Sequence, residues 1–284
     1  MRAAFVACPH KFFYEHLWQI APSTTSRHLH AGAAFARGLE VARRVFFEKK
    51  SDKAGAEIEG FKALILSYGN FEVVEGETKS FADMLGALDY YFEQYPLDTD
   101  PIRPLITPLG AAVEFNFAIE IPDTKHPETG NPLLYFGRFD QLCTFNDTLF
   151  VEDDKTASQL GASWSNQWEL RAQLTGYCWA AREYGYNVQG AIIRGVSILK
   201  TGYGNAQEIT YRPRWQVDRW LIQLQRDVAR MLECWQSNYW DYSLDGACSH
   251  YGGCPYLPLC KSPQPENWLE PGYVHREWNP MVKL

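Results

Sequence analysis

Gly137-Arg138-Phe139-Asp140-Gln141-Leu142-Cys143-Thr144-Phe145-Asn146-Asp147-Thr148-Leu149-Phe150-Val151-Glu152-Asp153-Asp154-Lys155-Thr156 is the stretch on which the fold turns. Residues 133–144 and 148–156 read as two strands, and Asn146-Asp147 between them has the composition of a two-residue hairpin turn. With those two residues as the turn, Phe145 faces Thr148, and counting outward brings Asp140 opposite Asp153. Cross-strand neighbours have Cβ atoms roughly 5 Å apart. Two carboxylates at that separation repel unless something neutralises them, and a divalent cation does so through hard oxygen ligands. By the period of two, Asp153 and Lys155 share one face of the strand, and Glu152 and Asp154 share the other. A cation between two carboxylates, with an ammonium group one step along, suits phosphodiester hydrolysis. The metal polarises the phosphate and lowers the pKa of a bound water. The lysine positions that water or stabilises the developing charge. The implication rests on the register: a three-residue turn would dissolve the pairing and leave scattered surface charges.

The chain has 284 residues, 46% of them hydrophobic and 15% aromatic, which is enough to bury a substantial core. The formal net charge of −7 is not that of an obvious nucleic-acid binder. A carboxylate-rich site would still meet DNA through divalent metals and a local basic strip. No apolar run approaches the ~20 residues of a membrane helix. The apolar start from Met1 to Cys8 is too short for a signal peptide and ends at Pro9-His10-Lys11, so a cytoplasmic location is expected.

Helical spacing predicts an aromatic helix over 9–20 and a longer one over 28–49, where Leu29, Ala33, Ala36, Leu39, Ala42 and Val45 repeat at helical intervals. Arg37, Arg43, Arg44, Lys49 and Lys50 give that second helix a positive end, either a DNA-facing strip or solvated charge. Two amphipathic helices are expected at 53–68 and 79–94. Pro96, Pro101, Pro104 and Pro108 then mark an extended linker. Residues 111–121 alternate as a half-buried strand, with Val113, Phe115, Phe117, Ile119 and Ile121 on one side. After the hairpin come a helix over 164–185, strands over 189–199 and 206–212, and a long amphipathic helix over 214–237. This order implies an α/β or α+β fold with one central sheet.

Gln173 and Tyr177 are one helical turn apart and share a face with Glu169, where they suit contact with a phosphate or a base. Of the seven cysteines, Cys248, Cys254 and Cys260 are separated by five residues in each gap, and Cys8 is distant. Four thiolates suit an iron–sulfur cluster or tetrahedral Zn²⁺. Gly252, Gly253, Pro255 and Pro258 supply turns to wrap a metal, and His250 competes as fourth ligand in a local zinc site. Cys143, Cys178 and Cys234 fall within predicted elements and read as buried hydrophobes.

Taken in order, these segments resemble the PD-(D/E)xK nuclease superfamily, and within it the RecB/AddB-like iron–sulfur exonuclease branch, which is similar to the CRISPR adaptation exonucleases. Ala7-Cys8-Pro9-His10-Lys11-Phe12-Phe13-Tyr14 resembles the cysteine-proline-aromatic opening of that branch. Gly137 to Asp140 resembles its glycine-x-x-aspartate strand, and Asp153-Asp154-Lys155-Thr156 its aspartate-x-lysine-threonine strand. Gln173-Leu174-Thr175-Gly176-Tyr177 resembles its glutamine-x-x-x-tyrosine helix, and the C-terminal cysteines its cluster loop. Glu114 lies on the strand where many members carry a glutamate. The likeness spans roughly residues 5–262.

The resemblance implies a restriction-endonuclease-like central mixed sheet flanked by helices. One nuclease-like domain over 1–284 is expected, with an N-terminal helical region (1–108), a catalytic core sheet and helix (109–213), and a C-terminal helix, cysteine loop and tail (214–284). It implies a metal-dependent DNA exonuclease of recombination, repair or phage DNA processing. Asp140 and Asp153 would bind Mg²⁺ or Mn²⁺, Lys155 would assist the attacking water, and Glu114 would orient metal or water. Gln173 and Tyr177 would contact the DNA, as single strands or duplex ends, with room for a helicase or recombinase partner. Cys8, Cys248, Cys254 and Cys260 would hold a structural 4Fe-4S cluster, with Zn²⁺ as the alternative. Two departures stand out. Where relatives carry a metal-binding histidine four residues after a glycine, Gly32 is followed by Ala33-Ala34-Phe35-Ala36, and His30 or, one turn further on, Glu40 is the substitute ligand. The cysteine spacing is wider than the commoner two-then-five pattern, and with the Tyr251 to Pro255 segment resembles phage-encoded members. The missing histidine and the acidic charge leave a second expectation, a non-catalytic DNA-binding or adaptor module on the same fold.

Overall fold

Asn146 and Asp147 both adopt left-handed backbone, with φ of 48° and 58°. That is the conformation a two-residue type I′ hairpin requires. The computed structural model describes residues 1–244, 246–249 and 253–277. In it the hairpin pairs from Phe145↔Thr148 to Gln141↔Glu152, the register read from the sequence. Continuing that register one step sets Asp140 against Asp153.

The first elements are α1 (Arg2–Ala7), α2 (Pro9–Phe12), a π-helical turn (Phe13–Leu17) and β1 (Ile20–Pro22). Three helices follow: α3 (Arg27–Phe47), α4 (Lys53–Tyr68) and α5 (Phe81–Gln94). Then come β2 (Arg103–Pro104), β3 (Ile106–Thr107), β4 (Gly110–Ala111), β5 (Val113–Lys125), β6 (Pro132–Phe145) and β7 (Thr148–Ala157). The remainder holds α6 (Ala162–Asn166), α7 (Ala172–Glu183), β8 (Gly190–Leu199), β9 (Gly202–Tyr211), α8 (Arg214–Ser237), α9 (Leu257–Cys260), α10 (Leu269–Gly272) and β10 (Tyr273–His275). The chain groups into two compact units, one of Met1–Thr25, Glu120–Tyr135 and Leu221–Leu284, the other of Ser26–Ile119 and Phe136–Trp220. Among the described residues no helix is long and apolar enough to cross a membrane.

The six-stranded sheet runs β2-β6-β7-β8-β9, with β5 also paired to β6. β7 and β8 are parallel, while β6–β7 and β8–β9 are antiparallel, so the sheet is mixed. The parallel step needs a crossover, and α6 and α7 supply it. Flanked by helices, this is the α/β arrangement expected from the sequence. Gly137 is required by packing: a Cβ there would lie 2.6 Å from Phe117 Cζ, and the Phe117 ring stacks on Phe139 at 4.9 Å.

In the second unit, α3 buries Ala31, Ala34, Phe35, Gly38, Leu39 and Ala42, one stripe at helical spacing. Small residues let α4 approach closely, since a Cβ on Gly60 would meet Ala42 Cβ and the Gly38 carbonyl oxygen at 2.9 Å. α5 opens with a capping box, Asp83 N–H donating to Ser80 Oγ at 3.2 Å and Ser80 N–H to Asp83 Oδ2 at 3.0 Å.

The same helices bring arginines to the sheet. Glu152 is fully buried, and Asp154 shares its face. Arg43 of α3 donates to Asp154 Oδ2 at 2.7 Å, to Glu152 Oε1 at 2.9 Å and to the Tyr91 hydroxyl at 2.8 Å. Gln141 completes Glu152 at 2.6 Å. Arg194 on β8 grips Asp100 at 2.5 and 2.8 Å and lies over the Tyr95 ring at 4.0 Å. Arg43 is therefore neither solvated nor part of a DNA-facing strip. Arg37 and Arg44 pair with Glu40 at 2.6 and 3.2 Å, so the positive end of α3 is largely neutralised on its own helix.

Three local expectations change. Residues 9–20 do not form one helix: α2 passes into the π-helical turn and then β1, whose Ile20 pairs with His275. The 96–108 linker contains β2, which joins the sheet edge, and β3, which pairs with β4. The helix expected over 164–185 breaks into α6 and α7, because buried Arg212 ties the intervening turn down by donating to the Trp168 carbonyl at 2.5 Å.

Replacing Arg43 with Ala should destabilise the protein by about 3–5 kcal/mol, because it removes the counter-ion of Asp154 and leaves Glu152 only the longer contact with Arg194 at 3.6 Å. Urea denaturation reads this directly, and an unchanged midpoint would show that Arg43 is dispensable to the core.

Candidate metal centre and active site

Asp140 lies within β6, partly exposed, and its Oδ2 accepts the Asp154 N–H at 2.8 Å. Asp153 is 1% exposed. Its Oδ2 is ion-paired with Lys155 Nζ, while its Oδ1 has no hydrogen-bond partner among the described residues. An orphaned carboxylate oxygen at that depth is costly. Burial, and then the charge of Asp153, push the Asp140 carboxyl well above the usual range, against the pull of Lys155. Burial also raises the Asp153 carboxyl, again opposed by Lys155. Burial works against the Lys155 ammonium, but Asp153, Asp140 and Asp154 together raise its pKa. Without a cation, the pair holds its protons more tightly than free carboxylates do.

Ala36, Glu40, Glu114, Asp140 and Asp154 line one cleft. Glu40 is 4% exposed and held by Arg37 and Arg44. Glu114 sits at the start of β5 with φ of 51°, a backbone strained for a glutamate, and pairs with Arg138 at 2.5 Å. His30 is directed elsewhere: its Nε2 bonds the Tyr68 carbonyl at 2.8 Å and its ring stacks on Phe71 at 4.1 Å. Of the two candidate replacements for the missing histidine, Glu40 alone reaches the cleft, in which Ala36 presents only a methyl. The chemistry of the donors fits a hard divalent cation: two opposed carboxylates, an orphaned buried oxygen and two further glutamates on the cleft. Among the described residues, no three His, Cys, Asp or Glu side chains are already gathered as a ligand group.

Gln173 and Tyr177 do share a face of α7, with Gln173 Nε2 donating to the Tyr177 hydroxyl at 2.9 Å. The Tyr177 ring meets Phe139 edge-on at 5.4 Å, next in sequence to Asp140. Glu169 precedes α7 and is not on that face; its carbonyl accepts from Gln216. The arginine clamp beneath Glu152 and Asp154 was missed from the sequence. Its one signal is that Arg43 follows Leu39 and Ala42 on the apolar side of α3.

Cys8, Cys248, Cys254 and Cys260 all lie in the first unit, each partly exposed. Cys254 N–H donates to the Cys248 carbonyl at 2.8 Å. Burial pushes the Cys260 thiol up to about 11, followed by the charges of Cys254, Cys8 and Cys248. His250, the competing ligand, lies outside the described residues with Tyr251 and Gly252. Cys143, Cys178 and Cys234 are buried.

The PD-(D/E)XK nuclease superfamily matches this chain over residues 3–261, and the chain belongs to it. No curated protein matches. Among solved structures the chain is similar to one described as "Crystal structure of SSO0001", at 16% identity over 79% of this chain and 87% of that one; the TM-score of 0.27 defines no shared fold in detail. Membership implies a nuclease, and nucleases of this superfamily typically use Mg²⁺ or Mn²⁺.

The raised carboxyls give the stability a sign. In the metal-free protein the folded state retains protons that the unfolded chain has released. The stability from that retention is full below the ordinary carboxylate pKa and is lost as pH rises through the raised values. Mn²⁺ should therefore raise the melting temperature more at about pH 8 than at about pH 5. The Asp153→Asn protein should lose that Mn²⁺ response. Scanning fluorimetry checks both, and an equal Mn²⁺ shift in the variant would remove Asp153 from the ligand set.

Proposed function

We propose that this protein is a metal-dependent DNA exonuclease whose centre is the Asp140–Asp153 pair, with Lys155 beside it. The observation that carries the reading is the orphaned, buried Oδ1 of Asp153, one residue beyond the Gln141↔Glu152 pair of the hairpin, where the continued register would set it against Asp140. Asp140 and Asp153 would hold Mg²⁺ or Mn²⁺, and Glu40 and Glu114, on the cleft that Asp140 lines, would orient metal or water. When bound, that ion supplies Lewis acidity to the scissile phosphate and acidifies water. Lys155, charged at neutral pH, stabilises the negative charge that develops on the phosphate and orients the attacking water. Gln173 and Tyr177, locked to each other and to the Phe139 ring, direct a polar edge at the bound strand. Exonuclease action, and a role in recombination, repair or phage DNA processing, follow from the resemblance to the iron–sulfur branch. The same resemblance, with Cys8, Cys248 and Cys254 all acting electrostatically on Cys260, supports a 4Fe-4S cluster in the first unit, with Zn²⁺ as the alternative. The second reading, a DNA-binding or adaptor module without catalysis, is favoured by one observation: Ala36 offers a methyl group to the cleft.

Digestion of end-labelled linear single- and double-stranded DNA with Mn²⁺ or Mg²⁺ separates these readings. Metal-dependent cleavage should fall by at least about 100-fold in Lys155→Ala and Asp153→Ala, with the fold intact by circular dichroism. A folded wild-type protein that binds DNA and leaves it uncut would establish the adaptor reading. Anaerobically purified protein should be brown, with iron and labile sulfide that Cys260→Ser loses. A colourless, zinc-loaded protein would replace the cluster by zinc.

A further inference from the structure

Arg171 stands between α6 and α7, exposed, one residue before the helix that carries Gln173 and Tyr177. Its place relative to the sheet follows from the β7–β8 register. Lys155 pairs with Gly195 and Asp153 with Ile193, so a side chain at position 195 would leave the sheet on the same side as Lys155. A Cβ on Gly195 would lie 2.5 Å from Trp164 Cζ2. Glycine at that point lets α6 lie down on the Asp153–Lys155 face, beside the lysine. The Trp164 ring meets Trp168 edge-on at 5.3 Å, and the Arg171 guanidinium lies over the Trp168 ring, 5.8 Å from its centroid. This run of contacts places Arg171 on the side of the sheet that holds Asp153 and Lys155, opposite to the side that α3 covers. Its charge is felt at the centre: burial raises the Asp153 carboxyl, and Lys155 and, more weakly, Arg171 pull against it.

Most other cations around the centre are already taken. Arg37 and Arg44 pair with Glu40, Arg138 with Glu114, Arg43 with Glu152 and Asp154, and Lys155 with Asp153. Arg171 faces an aromatic ring instead, and among the described residues no carboxylate pairs with it. A guanidinium held against a ring keeps its flat fork of N–H donors in one orientation, and that fork matches a phosphate. On a chain of net charge −7, a polyanion approaching two carboxylates needs a local cation of this kind. We propose that Arg171 binds a second phosphate of the nucleic-acid strand whose scissile phosphate lies at Asp140 and Asp153. Arg171 is a positioning residue: it holds the strand over the carboxylates and does not touch the reacting atoms. This proposal rests on the nuclease reading above.

The test is binding of a labelled single-stranded oligonucleotide by anisotropy in Ca²⁺ over a range of KCl, for wild type, Arg171→Gln, Arg171→Lys and Lys62→Gln. The last removes an equal charge from the exposed face of α4, which packs on α3 on the other side of the sheet. Cleavage in Mn²⁺ is measured alongside, and circular dichroism checks the fold. Loss of one phosphate contact should weaken Arg171→Gln about 10-fold regardless of sequence, and reduce the salt slope by about 0.7–0.9. Its KM should rise with little change in kcat. Arg171→Lys should restore the slope with the charge, while part of the affinity stays lost with the fork. Oligonucleotides with and without a terminal phosphate tell the sources apart. A loss confined to phosphorylated ends assigns the contact to an end group, and an equal loss assigns it to the internal backbone. If Lys62→Gln weakens binding as much as Arg171→Gln, the effect is one of overall charge and the proposal fails. If wild type cleaves DNA and the Arg171→Gln slope is unchanged, the proposal fails while the nuclease reading stands; a lower Mn²⁺ requirement in that variant would then assign Arg171 to Asp153 alone. If wild type neither cuts nor binds DNA, both fail.

Discussion

Two carboxylates opposed across one hairpin set the terms for the rest of the second unit. Asn146 and Asp147 in left-handed backbone leave one register, and that register places Asp140 against Asp153. At a separation of roughly 5 Å and an effective dielectric of about 20, two full charges would repel by about 3 kcal/mol. That is a large fraction of the ~5–15 kcal/mol by which a domain is stable. The metal-free molecule relieves it in two ways: raised carboxyl pKa values and the Lys155 ion pair. Both are reversible, and a divalent cation can displace them, which is the property a metal centre needs.

The opposite face of β7 is handled differently. Glu152 and Asp154 are satisfied permanently by Arg43 and supported by Gln141 and Tyr91. One strand thus carries a closed charge network on one side and an unsatisfied carboxylate on the other. Buried ion networks are weak sources of net stability. The physical role of this one is to hold β7 and α3 in a fixed relation, so that Asp140, Glu40 and Glu114 meet at one cleft.

Much of this was legible in the sequence because it depends on local rules. A two-residue turn with left-handed-tolerant residues dictates its own register, and α4 and α8 match their expected limits because capping and apolar spacing act within the segment. Glu40 could be preferred as a cleft residue for the same reason, being one turn from Ala36. What escaped depends on partners far away in the chain. Residues 9–20 looked helical by composition, but Ile20 is drawn into pairing with His275. Arg43 looked like surface charge, and only its approach to Glu152 and Asp154 across more than a hundred residues buries it. Lys79 carried no pattern at all: its burial comes from a strained backbone and a contact with Thr156.

The central claim is that the hairpin's carboxylate pair is a cation site. The most direct measurement is diffraction from Mn²⁺-soaked crystals at the manganese absorption edge. The account predicts an anomalous peak flanked by the Asp140 and Asp153 carboxylates, with Lys155 turned away from Asp153 Oδ2. Manganese bound elsewhere, with the Asp153–Lys155 pair intact, would contradict it.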